Sequence, residues 1–236
     1  MYYFLTFGAN KIRMKKNWWK IAAVVLVLYS IIAGFLLKVP VLPILHETIR
    51  NLYFHVTMWF SMIILLFVSV WNSVRYLSGF NSKYDIVAKE AVHISIVFGL
   101  CGLATGMLWA NYTWGEPWPN DPKLNGVAIA MLFYFAYLVL RNSIDEEQKR
   151  ARIAAIYNIF AFVMFIVFTM ILPRMTDSLH PGNGGNPGFG NYEDIDNNMR
   201  IVFYPAIIGW TLIGTWIMQL GIRYHKLNTI IHSNKN

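Results

Sequence analysis

The stretch Ile153–Leu172, IAAIYNIFAFVMFIVFTMIL, decides what kind of molecule this is. It carries no charged side chain along its whole length, and its 20 residues match the span that an α-helix needs to cross the hydrocarbon of a bilayer. Immediately before it comes EEQKRAR (Glu146–Arg152), a polar, basic flank. Five further runs share this character: Trp18–Leu37, Leu52–Val74, Ala88–Trp109, Gly126–Leu140 and Ile201–Ile222. The fourth is short in its apolar core and regains length by starting near Lys123. With 56% hydrophobic and 14% charged residues, against the roughly 25% charged residues of a soluble domain, the chain reads as all-α. The expected architecture is a polytopic integral membrane protein, a single domain over residues 1–236 with six transmembrane helices.

Lysine and arginine favour the cytoplasmic side of a membrane. One alternate set of connecting segments holds 15 of the 20 basic residues, among them Lys11, Arg75, Lys83, Arg141, Lys149, Arg150 and Arg223. The other set holds Lys38, Arg50, Lys123, Arg174 and Arg200. Both termini are therefore expected in the cytoplasm, with the connections at 38–51, 110–125 and 173–200 outside. The net charge of +8 becomes a topology signal and a contact for anionic lipid, with no implication of nucleic acid. No cleavable signal peptide is expected, and Met14 offers an alternative start to Met1. The inner connections are short and no Walker-type phosphate loop is present, which excludes ATP hydrolysis by this chain alone.

Chemistry concentrates on the outer side. Residues Trp109–Asp121 read WANYTWGEPWPND, and three tryptophans beside Gly115, Pro117 and Pro119 suggest a loop too apolar for water and too broken for a helix. This tryptophan-rich loop is placed at 109–124. Its aromatic faces at a membrane edge suit a flat, amphipathic ligand. His55, three residues inside the second span, is either a ligand or a histidine bonded to a neighbouring backbone carbonyl. Polar groups at that depth face the protein interior or a cavity. His180 lies just beyond the fifth span, and alone would read as a solvated loop residue. Together the two suggest axial ligation of haem iron, for which neutral imidazole is a common ligand. His46 is a spare candidate, His93 a packing residue, and His225 and His232 are tail residues in solvent. Asp121 and Glu116 could orient a histidine, and Asp121 could equally cap a helix. Trp18, Trp19, Trp59, Trp71, Trp210 and Trp216 read as interfacial or lipid-facing. The glycine-rich 182–191 segment, GNGGNPGFGN, makes the outer loop 173–200 look flexible. The single cysteine, Cys101, and the lack of a CxxCH motif mean that haem would be held without a thioether bond.

The segment TGMLWANYTWGEPWPNDPKLNG resembles the tryptophan-rich "WWD" signature of the haem-handling cytochrome c maturation proteins. RNLYFHV resembles the start of the second span in their CcmC-type members, and the resemblance, shared more broadly with CcsA-like chains, covers essentially the whole sequence. It implies His55 and His180 as axial ligands of non-covalent haem b. It also implies Trp114, Gly115, Trp118 and Asp121 as motif positions, with Trp109 just upstream. The implied function is presentation of haem at the periplasmic face of the bacterial inner membrane, without enzymatic bond-making. The implied partners are a membrane-anchored haem chaperone, ABC transporter subunits of the haem-release complex and a small single-span subunit. Asn120 departs from the motif, which has a tryptophan there. The competing reading is a b-type cytochrome subunit in quinone-linked electron transfer, which would place paired histidines deep between spans.

Overall fold

The computed structural model describes residues 2–41, 45–180 and 195–233, with side chains placed from Asn17 onward except at 229, 232 and 233. Helices account for nearly all of it, and no strand occurs among the described residues. The helices are α1 (Tyr2–Leu36), α2 (Leu52–Gly79), α3 (Ser82–Trp114), α4 (Pro122–Asn142), α5 (Glu147–Ile166) and α6 (Asn197–Ser233). A π-helical turn, Val167–Ile171, and a 3₁₀ turn, Leu172–Arg174, extend α5. All six apolar runs lie in helices long and apolar enough to cross a membrane. Most of these helices overrun the runs, because intrahelical hydrogen bonding continues into the headgroup region once a span has nucleated the helix. The six-span, all-α reading therefore holds.

Helix α2 is the hub. It packs along α3 over most of its length and also touches α5 and α6, while α1 lies on α6 and α4 on α5. The main core joins Met58, Met62, Leu65 and Leu66 of α2 to Val92 and Ile96 of α3, Met131 and Tyr134 of α4, and Phe165 of α5. Glycines set the α2–α3 distance. A Cβ built on Gly99 would stand 2.6 Å from the Met131 sulfur and 2.9 Å from that of Met62, and one on Gly102 would stand 2.7 Å from the Trp59 ring. Trp59 is thus packed against the core, not simply into lipid, and Trp210 likewise meets Phe98 edge-on at 6.5 Å between centroids. Trp18 and Trp71 do remain exposed on the bundle surface.

Inside a bilayer, freed backbone carbonyls need internal donors. Pro205, within α6, cannot donate to the carbonyl of Ile201, and the Tyr29 hydroxyl of α1 donates to it instead at 3.1 Å. Pro173 likewise denies a partner to the carbonyl of Thr169, and the helix widens there into the π-helical turn. Arg50, just before α2, donates to the carbonyls of Gly34 (2.9 Å) and Leu37 (2.6 Å) at the end of α1. At the far end of the bundle, Arg141 holds Asp85 in a two-pronged ion pair. His225 is half-buried there and lines a polar cavity with Asp85, Lys89 and Arg141, so it is not the solvated tail residue its position suggested. The side chain of His232 and the glycine-rich 182–191 segment lie outside the described residues.

Candidate functional site

The end of the bundle where α3 gives way to α4 carries the candidate residues. Trp109–Trp114 is not loop but the last turns of α3, a correction to the sequence reading. Nothing in WANYTW breaks a helix. The break comes at Gly115, which caps α3 in the left-handed region at φ 87°, a conformation that a side chain would strain. Only Gly115–Asp121 is irregular, and Pro122 at the first position of α4 ends it.

Asp121 is the centre of this end. Its side chain is fully buried, and it is the N-cap of α4, with Oδ1 accepting from the backbone N–H of Lys123 (2.9 Å) and Leu124 (3.3 Å). The same oxygen lies 3.0 Å from Nδ1 of His180. Oδ2 accepts from the Ser178 hydroxyl (2.8 Å) and the Leu179 N–H (2.7 Å). Both roles raised for Asp121, cap and histidine orienter, are thus filled by one carboxylate. Burial alone would push the carboxyl's pKa upward, but the hydrogen bonds from His180, Ser178 and Leu179 outweigh it and hold the group well below the usual carboxylate range. Burial pushes the imidazole of His180 down from its ordinary value, against the pull of Asp121. At neutral pH the pair is therefore a carboxylate and a neutral imidazole whose proton sits on Nδ1, leaving the Nε2 lone pair free.

His55 is anchored differently. Its Nδ1 lies 2.9 Å from the carbonyl oxygen of Gly102, which can only accept, so this nitrogen too carries the proton and Nε2 is the free base. The Thr105 hydroxyl lies 3.4 Å from the same nitrogen. The ring fits only because Gly106 has no side chain: a Cβ there would stand 2.6 Å from Cε1 of His55. The modest alternative for His55, a bond to a backbone carbonyl, is therefore present, and it fixes the tautomer a ligand would need. His55 and His180 lie within electrostatic reach of each other, with Lys123 near both.

Aromatic rings surround the pair. Trp109 meets His55 edge-on at 5.8 Å and Trp59 does so at 6.2 Å, while Trp114 meets His180 at 5.1 Å. Trp109 is tethered through Nε1 to the Thr48 hydroxyl (3.1 Å). Trp118 donates to Asn125 (3.2 Å), which in turn donates to Asn120 (3.0 Å), so the residue in the motif's tryptophan place props its neighbour through a polar chain. His46 is exposed with a positive φ of 43°, and His93 sits on α3 nearer Lys89, Glu90 and Arg141 at the other end. Among the described residues, no three of His, Cys, Asp and Glu gather to enclose a bare metal ion. Sequence reasoning missed Trp59, Gly102, Gly106, Thr105 and Ser178. The spacing of His55 and Trp59 by one helical turn was the visible trace of the first.

The fold and this site define a class, the multi-pass helical membrane proteins with two anchored histidines amid tryptophans at one end of the bundle. The chain belongs to the CcmC family, described as "Heme exporter protein C", whose pattern matches residues 6–235. It is 27% identical over 169 residues to the "Heme exporter protein C" of Rhodobacter capsulatus, covering 70% of this chain and 68% of that one. It is 32% identical over 110 residues to the protein of that name in Bradyrhizobium diazoefficiens, covering 46% of this chain and 41% of the relative, so less than half of that protein's length is spanned. A "Cytochrome c biogenesis protein CcsA" of Prochlorococcus marinus subsp. pastoris is 32% identical over 84 residues, which are 36% of this chain and 27% of the relative.

Proposed function

We propose that this protein binds haem b non-covalently and presents it for transfer during cytochrome c biogenesis, with His55 and His180 as axial ligands. The observation that carries this reading is that both imidazoles have Nδ1 committed to an acceptor, leaving Nε2 as the available base on each. Metal-bound histidines are held in this manner by outer hydrogen bonds. The aromatic edges of Trp109, Trp114 and Trp59 beside the rings fit a porphyrin, and Trp118, Gly115 and Asp121 shape the turn that carries them. The names of the relatives support the pathway.

The same reading makes the chain one domain that binds and hands over its cargo and is not an enzyme. The excess of lysine and arginine at the opposite end supports a cytoplasmic location for the termini and a periplasmic site, in the inner membrane of a bacterium. A membrane-anchored haem chaperone would receive the cargo, with ABC transporter subunits and a small single-span subunit completing the assembly. The b-type cytochrome alternative gains nothing from the geometry, because His93 lies toward the other end of α3, away from both candidate ligands.

The test is an absorption spectrum of the detergent-purified protein against the His55→Ala, His180→Ala double variant. A Soret band that disappears in the double variant is the expected result. No band in the unaltered protein, even after haem is added, would sink the reading.

A further inference from the structure

The two candidate ligands differ in what holds them, and that difference has a chemical consequence. His55 donates to a neutral peptide carbonyl, that of Gly102. His180 donates to a buried carboxylate that three other sets of donors keep anionic and immobile: the α4 N-terminal amides, the Ser178 hydroxyl and the Leu179 amide. An anionic acceptor draws the Nδ1 proton outward, which raises the basicity of Nε2 and strengthens its donation to a metal. Hydrogen bonds from the outer ring of partners are among the means by which a protein sets the properties of haem iron.

We infer that Asp121 is a positioning residue that makes His180 the stronger of two chemically unequal haem ligands, His55 being the weaker donor. The inference rests on the proposed haem site and adds to it an order between the ligands. It follows that the iron is bound asymmetrically. The stronger bond would be to the ligand carried on the Met175–His180 segment that follows the α5 extension, and the weaker to the ligand embedded in α2. Asp121 is also the N-cap of α4, so the orientation of His180 is tied to the first turn of that helix.

Asparagine suits the test because it keeps one acceptor oxygen for His180 and the α4 cap and is as good an N-cap as aspartate, while it removes the charge and replaces the oxygen that accepts from Ser178 and Leu179 with an amide nitrogen. In the His55→Ala variant loaded with ferrous haem, His180 is the remaining axial ligand, and the iron–histidine stretch is read by resonance Raman spectroscopy. Asp121→Asn in that background is expected to shift the stretch to lower frequency. The mirror variant, His180→Ala, should show a stretch lower than that of His55→Ala and unmoved by Asp121→Asn. Equal shifts in both backgrounds, or no shift in either, would overturn the inference. Should the single-histidine variants lose haem, the midpoint potential of haem in the otherwise unaltered protein gives the second readout. Asp121→Asn is expected to raise it, and an unchanged potential, or complete loss of haem from this one variant, would overturn the inference. Absence of haem from the unaltered protein would instead be a failure of the proposed function.

Discussion

His55 and His180 present the same free nitrogen, yet one is held by a helix surface and the other by a single side chain. The ring of His55 lies in a glycine groove on α3, over Gly106, with its proton on a backbone carbonyl that no substitution can delete. The ring of His180 depends on Asp121, and so do Ser178, Leu179 and the first turn of α4. The first anchorage is distributed over packing and can be disturbed only by filling space. The second can be removed by one atom's change. In the proposed haem site, one candidate ligand is thus fixed with the fold and the other has a hold that can be adjusted locally.

The largest effect is expected from filling the groove. In Gly106→Val the new side chain would take the volume of the His55 ring, since even a Cβ would stand 2.6 Å from Cε1. Overpacking of this kind costs about 1–3 kcal/mol of stability. Haem retention, read from the Soret absorbance per protein after gel filtration, should fall by more than the ~100-fold that loss of an outer hydrogen-bond partner can cause. Retention as in the unaltered protein would mean that His55 is not a ligand.

Next comes the carboxylate. Asp121→Ala removes the acceptor of His180 and the cap of α4 together. The outer-partner loss corresponds to about 10–100-fold in haem affinity, and the cap to about 1 kcal/mol of helix stability. The comparison between anchorages is sharpened if thermal unfolding drops modestly while haem affinity drops by at least tenfold. A variant that unfolds without a separate haem effect would make Asp121 a structural cap alone.

Trp114 tests the aromatic side of the His180 anchorage. An edge-on pair at 5.1 Å contributes about 0.5–1.5 kcal/mol, so Trp114→Ala should weaken haem retention by roughly 2–12-fold. Trp216, which lies beside Lys20 far from the site, serves as the control and should leave retention unchanged. Equal effects from the two would count against a dedicated platform.

Much of this could be read in the sequence, for identifiable reasons. The spans were legible because bilayer thickness imposes a run length that composition reveals directly. Asp121 was legible in part, because an aspartate before a proline is a helix-start signal and its other lone pairs invite a second use. The helical state of Trp109–Trp114 was not. Gly115, Pro117 and Pro119 made the whole tryptophan-bearing stretch read as broken, whereas these helix-breaking residues begin only at Gly115. The glycines at 99, 102 and 106 showed a helix face without bulk, but not which side chains would fill it. That depends on the rotation of α2 against α3, a tertiary fact. Trp59 was misjudged for the same reason, since its turn-and-a-bit from His55 is meaningful only once α3 is placed beside it.

The smallest effects belong to the chain Trp118–Asn125–Asn120, and their order is informative. Asn125 touches Trp118 directly and Asn120 touches only Asn125. A net hydrogen bond contributes about 0.5–1.5 kcal/mol, and less where water competes, as it does at the exposed Asn120. Asn125→Ala should therefore loosen the Trp118 ring and lower haem retention about two- to threefold. Asn120→Ala should change it by less than about twofold, since an intact Asn125 still holds Trp118. Tryptophan fluorescence in a background where Trp118 is compared with Trp118→Phe would report the same order. If Asn120→Ala instead matched or exceeded Asn125→Ala, then Asn120 would be meeting the cargo itself, in the place where the family's motif has an aromatic ring, and the polar chain would be incidental to its role.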